Sequence, residues 1–278
     1  MKFRAKMNDG FCMRRFAVAI STLSKLGKQC VVSLSENDMC FVIFEEGVPK
    51  RPLAWCTLQQ AQFFSDYNII GVSQDNNQIS LQFSPEMFAR AIAPLKSPQT
   101  LRSLKIKLTK KNTPCLTCEI EMTTMQQHSR VCIHDIPVEV VPRKLWSDLA
   151  IPENLKFDLV IQMPNMKRFK IACERMRTLG THVTIEGSND GVLALKTEKD
   201  LATITTYFKE LTVEQNDDEG TDQFSSVKVD FKKVISFLSI DALNPSKILC
   251  NIMDKRLLFM HVLHENVALN YFIPGIAT

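Results

Sequence analysis

Residues 2–27, KFRAKMNDGFCMRRFAVAISTLSKLG, contain an alternating strand pattern, a helix pattern and a glycine stop. The same plan returns at residues 156–180, KFDLVIQMPNMKRFKIACERMRTLG. Apolar residues three or four positions apart predict helices over Phe11–Leu26 and over Asn165–Thr178. Each ends at a Leu-Gly pair, and glycine is a common helix terminator. Recurrence of the whole plan after about half the chain predicts a tandem repeat of one domain.

The rest of each half follows the same order of elements. Several strands come next, then a second helix, then three closing strands. In the first half Ser84-Pro85-Glu86 is a helix start, and Pro94 is expected to end that helix early. In the second half the helix is predicted over Phe231–Asp241. The sequence therefore predicts an α+β fold of two tandem domains, each with two helices packed on antiparallel sheets.

The prolines suggest where the domains meet. Pro137, Pro142 and Pro152 fall in a short region between the two copies, which is typical of an extended connector. We therefore predict a first domain over 1–134, a connector over 135–152 and a second domain over 153–278.

Composition excludes several classes of protein. Of the 278 residues 23% are charged and 45% are apolar, as in an ordinary globular chain. No apolar run reaches about 18 residues, and the first ten residues lack the apolar core of a signal peptide. Nine scattered cysteines, an odd number, indicate reduced thiols rather than a secreted disulfide framework. These features favour the nucleus or the cytoplasm.

Positive charge is concentrated on the predicted helices. Taken as 11–28, 85–96, 165–178 and 231–241, the helices hold 13 of the 34 Lys and Arg residues but three of the 30 acidic residues. The rest of the chain has an acidic excess. Solvent-exposed helix faces usually mix both signs, so a surface of one sign indicates a polyanion nearby, most simply a phosphate backbone.

Motifs of catalysis are missing from the sequence. It contains no Walker loop, no G-x-G-x-x-G, no G-x-S-x-G and no H-E-x-x-H. The one C-x-x-C, at Cys115 and Cys118, lies in a predicted strand, where residues three apart point to opposite faces. We therefore expect a protein that is not an enzyme, with no cofactor and no metal site.

Several strings carry a family resemblance. They are MKFRAK at residues 1–6, TPCLT after LKIKLT, HDIPVEVVPRKLW at residues 134–146, CNI at residues 250–252, and LHE with LNYFIP near the end. With the tandem repeat and the basic helices, these strings resemble the PCNA-like family of sliding DNA clamps. Within it they are similar to the Hus-type subunit of the nine-one-one DNA-damage checkpoint clamp. Pro94 and Pro98 shorten the second helix relative to the family pattern, which is compatible with a divergent paralogue.

The resemblance implies a ring of three two-domain subunits around duplex DNA, with helices inside and sheets outside. The checkpoint form implies a heterotrimer that an ATP-driven loader places on DNA and that recruits signalling and repair proteins. The basic helix residues would then face the phosphates without reading bases. These DNA-facing residues are Arg14, Arg15, Lys25, Lys28, Arg90, Lys96, Lys167, Arg168, Lys170, Arg175, Arg177, Lys232 and Lys233.

The resemblance also implies two kinds of protein contact. Two edge strands would pair with neighbouring subunits, one through Ser129, Val131 and Ile133, the other through Leu201, Thr203, Thr205 and Tyr207. A groove for partner peptides would be bordered by Ile136, Pro137, Val138, Val140, Ile273, Pro274 and Met39.

Two alternatives remain open from the sequence. One is a homotrimeric processivity clamp, and the other is an intracellular two-domain enzyme whose site carries no recognisable motif. The sequence alone does not identify the neighbour at each edge or the proteins that are recruited.

Overall fold

A computed structural model describes residues 1–44, 52–71, 73, 76–96, 100–123, 129–152, 155–199, 202–214, 224–264 and 266–276. The chain divides after Ile151 into two units, and each has its own core. Of the described helices, none is long and apolar enough to cross a membrane.

The described part of the first unit contains ten strands, three α-helices and two 3₁₀ helices. The strands are β1 (Lys2–Met7), β2 (Cys30–Leu34), β3 (Asp38–Phe44), β4 (Pro52–Gln59), β5 (Asp66–Ile70), β6 (Ile79–Phe83), β7 (Thr100–Lys110), β8 (Pro114–Thr123), β9 (Ser129–Pro137) and β10 (Glu139–Val140). The helices are α1 (Gly10–Leu26), α2 (Gln60–Phe63), α3 (Pro85–Ala91) and the 3₁₀ helices Ala93–Lys96 and Arg143–Leu149. One antiparallel sheet has the order β5-β1-β7-β8-β9, and the other strands follow in the order β10-β6-β2-β3-β4.

The second unit repeats this plan with nine described strands. They are β11 (Leu159–Gln162), β12 (His182–Ser188), β13 (Val192–Lys199), β14 (Ala202–Phe208), β15 (Val213–Glu214), β16 (Phe224–Asp230), β17 (Lys247–Met253), β18 (Leu257–His264) and β19 (Val267–Pro274). The helices are α4 (Met166–Met176), α5 (Phe231–Phe237) and the 3₁₀ helix Leu238–Leu243. The strand orders are β14-β13-β12-β16 and β19-β18-β17-β11-β15.

Aromatic side chains hold the helices of the first unit on its sheet. The Phe16 ring of α1 lies 5.9 Å from the Phe88 ring of α3 and 6.4 Å from the Phe41 ring of β3, measured between centroids. All three side chains are fully buried. Because one face of each helix is anchored in this cluster, the polar side chains of α1 and α3 are left on the opposite, exposed face.

The four predicted helices are confirmed. The second predicted helix of each unit differs from the prediction in its length as an α-helix. The α-helix of α3 ends at Ala91, before Pro94, and a 3₁₀ turn follows it. The predicted helix over Phe231–Asp241 is α-helical to Phe237 and continues as a 3₁₀ helix. Both second helices are therefore short, and the long helices α1 and α4 present most of the exposed basic side chains.

The predicted connector is attached to the first unit. Strand β9 runs through Pro137, so residues 135–137 belong to the first sheet. Strand β10 then pairs with β6, and the indole Nε1 of Trp55 donates a 2.8 Å hydrogen bond to the Leu149 carbonyl. Residues 143–149 form a 3₁₀ helix rather than extended chain.

The glycines that follow α1 and α4 act through close packing. Gly27 has φ −170° and ψ 166°, which any residue can adopt, so left-handed backbone is not the reason for glycine. A Cβ at Gly27 would lie 2.6 Å from Ile43 Cγ2 and 3.0 Å from the Phe44 carbonyl oxygen. At Gly180 it would lie 2.9 Å from Thr197 Cγ2. Each glycine lets the chain pass directly against a neighbouring strand.

We expect Gly27→Ala to lower the free energy of unfolding by about 1–3 kcal/mol, the usual cost of overpacking. The matched control is Gly10→Ala, whose Cβ would meet only the flexible Arg14 guanidinium at 3.8 and 3.9 Å. That variant should lose no stability, because alanine is the better helix residue. Urea unfolding followed by circular dichroism measures both, and equal stability of Gly27→Ala and the parent would contradict the packing argument.

Candidate nucleic-acid interface

The helix α1 exposes a narrow basic stripe. Its first turn is fixed by Asp9, whose carboxylate accepts a 2.8 Å hydrogen bond from the Cys12 backbone N–H. This hydrogen bond holds the pKa of Asp9 below its ordinary value. Most of the helix is buried, but Arg14 and Lys25 are exposed, as is Lys28 just beyond its end. The exposed surface of α1 is therefore positive at both ends.

Two lysines of the first unit repel each other. Lys96 ends the 3₁₀ helix that packs against α1, close enough for Lys25 to influence it. Partial burial lowers the pKa of the Lys96 ammonium, and the positive charge of Lys25 lowers it further. Within the described residues, no carboxylate lies within ion-pair distance of either lysine. An anion bound here would relieve this repulsion.

Arg15 and Arg90 are engaged by the first unit itself. The Arg15 guanidinium lies over the rings of Phe11 and Phe63, at 5.2 and 5.9 Å from their centroids. Arg90 pairs with Glu86, one turn earlier on α3. Such an exposed pair contributes only about 0.3–0.5 kcal/mol, so Arg90 can exchange its partner for a phosphate at little cost.

The helix α4 carries the densest group of cations. Asn165 caps it, accepting hydrogen bonds from the backbone N–H groups of Lys167 (3.1 Å) and Arg168 (3.4 Å). One face is buried through three side chains in the core of the second unit: Phe169, Cys173 and Met176. All five predicted cations are exposed, and in the described part of the chain none has an ion-pair partner: Lys167, Arg168, Lys170, Arg175 and Arg177.

The helix α5 adds two further lysines. The Asp230 carboxylate accepts a 2.7 Å hydrogen bond from the Lys232 backbone N–H and so caps the helix. The Lys232 side chain is exposed, whereas Lys233 is half-buried and its carbonyl accepts a 3.2 Å hydrogen bond from the Tyr271 hydroxyl. Because α5 packs against α4, the second unit collects seven of the predicted cations on two neighbouring helices.

The two predicted edge segments lie at sheet edges. Strand β9 ends the five-stranded sheet, and Val131 and Ile133 on it are 56% and 59% exposed. Strand β14 ends the four-stranded sheet, with Tyr207 62% exposed. Leu201 lies outside the described residues. Exposed apolar side chains on an open edge strand are an aggregation hazard unless another strand covers them.

Most of the residues that were predicted to border a peptide groove have buried side chains. Four of its residues are at most 5% exposed: Met39, Ile136, Val138 and Ile273. Pro137 and Val140 are exposed, and Pro274 is half-buried. The buried members are therefore not available for direct contact with a partner, whereas Pro137, Val140 and Pro274 are at least partly accessible.

Burial suppresses the reactivity of at least two cysteines. All nine are free thiols. Burial raises the pKa of Cys118 and of Cys173 to about 12, so neither is a thiolate near neutral pH. Within the described residues, no group of three or more His, Cys, Asp or Glu side chains is arranged to hold a metal ion.

A comparison with solved structures defines the class of fold. The crystal structure of the proliferating cellular nuclear antigen from Entamoeba histolytica aligns with a TM-score of 0.70 over 99% of both chains, at 13% sequence identity. The fold is therefore that of a PCNA-like clamp, which confirms the α+β expectation.

The chain belongs to the Hus1-like protein family, whose model matches residues 1–277. Human "Checkpoint protein HUS1" is 38% identical over 283 residues, covering 100% of both chains. Drosophila melanogaster "Checkpoint protein Hus1-like" is 25% identical over 279 residues, covering 99% of both. The resemblance noted in the sequence is confirmed. Its family is one of non-catalytic scaffolds that work with other clamp subunits.

Proposed function

We propose that this chain is one subunit of a ring-shaped heterotrimeric checkpoint clamp that encircles double-stranded DNA in the nucleus. The ring recruits DNA-damage signalling and repair proteins and is placed on DNA by an ATP-driven clamp loader. The observation that carries the proposal is the match of residues 1–277 to the Hus1-like family on a PCNA-like fold. The chain itself acts as a scaffold and performs no catalysis.

The helices supply the DNA-facing surface. Eleven of the thirteen predicted DNA-facing cations are exposed, and the five on α4 have no ion-pair partner within the described residues. Binding to duplex DNA by these groups releases counterions, so it weakens steeply with salt and depends little on base sequence. Individually weak contacts suffice in a ring, because closure around the duplex keeps the protein in place.

The open edges supply the subunit contacts. Strands β9 and β14 each present unpaired backbone groups and exposed apolar side chains at the end of a sheet. An antiparallel or parallel strand from a neighbouring subunit would satisfy both. The two edges differ in their exposed residues, Val131 and Ile133 on β9 against Ile204 and Tyr207 on β14. A head-to-tail ring joins unlike edges whether its subunits are identical or different, so the choice of different neighbours rests on the family match.

We expect the isolated chain to be a monomer at micromolar concentration, because the checkpoint clamp proposed here is built from three different subunits. Native mass spectrometry of the purified chain, alone and mixed with candidate clamp subunits, measures this directly. A particle containing one copy each of three different chains supports the proposal. A sharp homotrimer of this chain alone would contradict it and favour the homotrimeric processivity clamp.

A further inference from the structure

A cavity of about 500 Å³ lies in the second unit, beside the end of α4 and over the four-stranded sheet. It is lined by the turn at Arg177–His182 and by residues of β12, β13 and β16. None of the lysines that line it belongs to a helix, so the basic helix surface does not account for them.

The register of the sheet explains why lysines converge in this cavity. Thr184 on β12 is paired with Lys196 on β13 and with Lys228 on β16. Residues directly opposite each other in antiparallel strands project from the same face, about 5 Å apart at Cβ. Lys196 and Lys228 therefore flank the Thr184 hydroxyl, about 10 Å apart at their Cβ atoms, within reach of one common anion.

The lining has a large excess of positive charge. Among the described residues, the lining contains four cations, Arg177, Lys196, Lys199 and Lys228, and one carboxylate, Glu198. Glu198 pairs with Lys196 at 2.7 Å. Because the Glu198 side chain is 63% exposed, water weakens this pair, and Lys196 can still bind another anion. In the described part of the chain the other three cations have no ion-pair partner.

The remaining lining groups are small and polar. The hydroxyl of Thr184 and the imidazole of His182 are present beside the lysines. The His182 Nδ1 lies 3.0 Å from the Thr181 hydroxyl, which fixes the orientation of the ring. Cations surrounded by hydroxyl donors suit a phosphate, which brings about two negative charges and three strong acceptor oxygens.

We propose that this cavity is a phosphate-binding site for a phosphorylated segment of a partner protein. A duplex is about 20 Å wide and does not enter a cavity of this size, whereas a phosphorylated side chain does. Single-stranded nucleic acid is disfavoured because the described residues that line the cavity include no Phe, Tyr or Trp on which bases would stack. The Glu198 carboxylate can accept hydrogen bonds from the backbone N–H groups of a peptide. It would repel a second phosphate on a nucleic-acid strand.

The test uses the full chain and a degenerate pool of fluorescent phosphothreonine peptides, with the same pool unphosphorylated and a thymidine oligonucleotide as comparisons. Fluorescence anisotropy measures binding, and inorganic phosphate is added as a competitor. We expect the phosphorylated pool to bind at least tenfold more tightly than the unphosphorylated pool. The double variant Lys196→Gln/Lys228→Gln should lose at least tenfold of that affinity.

The matched control is Lys2→Gln/Lys156→Gln, which removes two exposed lysines that do not line the cavity. It should retain binding of the phosphorylated pool. Equal losses in both double variants, no discrimination between the two pools, or binding of the oligonucleotide alone would each overturn the proposal. Loading of the assembled clamp on DNA is measured in parallel, and it should be unchanged in Lys196→Gln/Lys228→Gln, so this test and that of the proposed function fail separately.

Discussion

Charge reversal of five helix residues is expected to abolish stable loading of the assembled clamp on closed circular DNA. The residues, all exposed, are Lys25, Lys28, Lys167, Arg168 and Arg175. Replacing each by Glu turns an attraction for phosphate into a repulsion. Single replacement by Ala should have a small effect, because the phosphate contacts act jointly and closure of the ring supplies retention.

Salt dependence gives this prediction a number. Each phosphate neutralised by a cation contributes about 0.9 to the slope of log K against log salt concentration. Neutral replacement of all five residues should therefore reduce the slope of direct DNA binding by about four to five. The folded units should keep their stability, since exposed substitutions of this kind usually change it by about 0.5 kcal/mol or less.

The control reverses five exposed basic residues that lie outside the helices and outside the cavity of the second unit. They are Lys2, Lys110, Lys156, Lys209 and Arg256. Lys111 and Lys199 are unsuitable, since Lys111 pairs with Asp135 and Lys199 lines that cavity. Equal losses of loading in the two variants would mean that total charge matters and the helix surface does not.

Proline in the edge strand β14 is expected to separate assembly from folding. Thr203 and Thr205 have the same parity along the strand and are paired with Glu198 and Lys196 of β13. Alternate backbone N–H groups of an edge strand point into the sheet or out to the open edge. Proline removes the N–H donor. Where that N–H points into the sheet, the substitution should destabilise the second unit. Where it points to the open edge, the substitution should weaken pairing with a neighbouring subunit.

The comparison is between Thr203→Pro or Thr205→Pro and Ile204→Pro. The variant whose missing N–H pointed outward should fold normally and lose at least tenfold in affinity for its neighbour, about 1.4 kcal/mol. Sedimentation of the mixed subunits measures assembly, and thermal melting measures folding. If no folded variant of either parity loses assembly, β14 is not a subunit interface.

The repeated plan of strand, helix and stop could be predicted because its signals are local. Apolar spacing alone marks α1 and α4, and Pro94 marks the early end of α3. Strand β16 also carries a local signal, because Ser225, Val227 and Val229 alternate toward the core. The short helix α2 spans four residues, too few for a periodic signal.

The roles of single residues depended on packing that the sequence does not display. Gly27 follows the end of α1 as predicted, but its extended backbone and its close approach to Ile43 could not be read from the sequence. Ile136 and Val138 looked like a partner surface, yet both are buried. The cations of the cavity follow α4 or lie on two different strands. They are therefore spread along the sequence and form no recognisable motif.

Encirclement of DNA is tested most directly by retention of the clamp. Retention is compared between a closed circle and the same DNA after one cut. The assembled clamp is loaded on the circle, free protein is removed, and salt is raised until direct phosphate contacts no longer hold. We expect the clamp to stay on the closed circle and to be released when a restriction enzyme linearises the DNA. Equal retention on circular and linear DNA, or equal loss from both, would contradict a ring that encircles DNA.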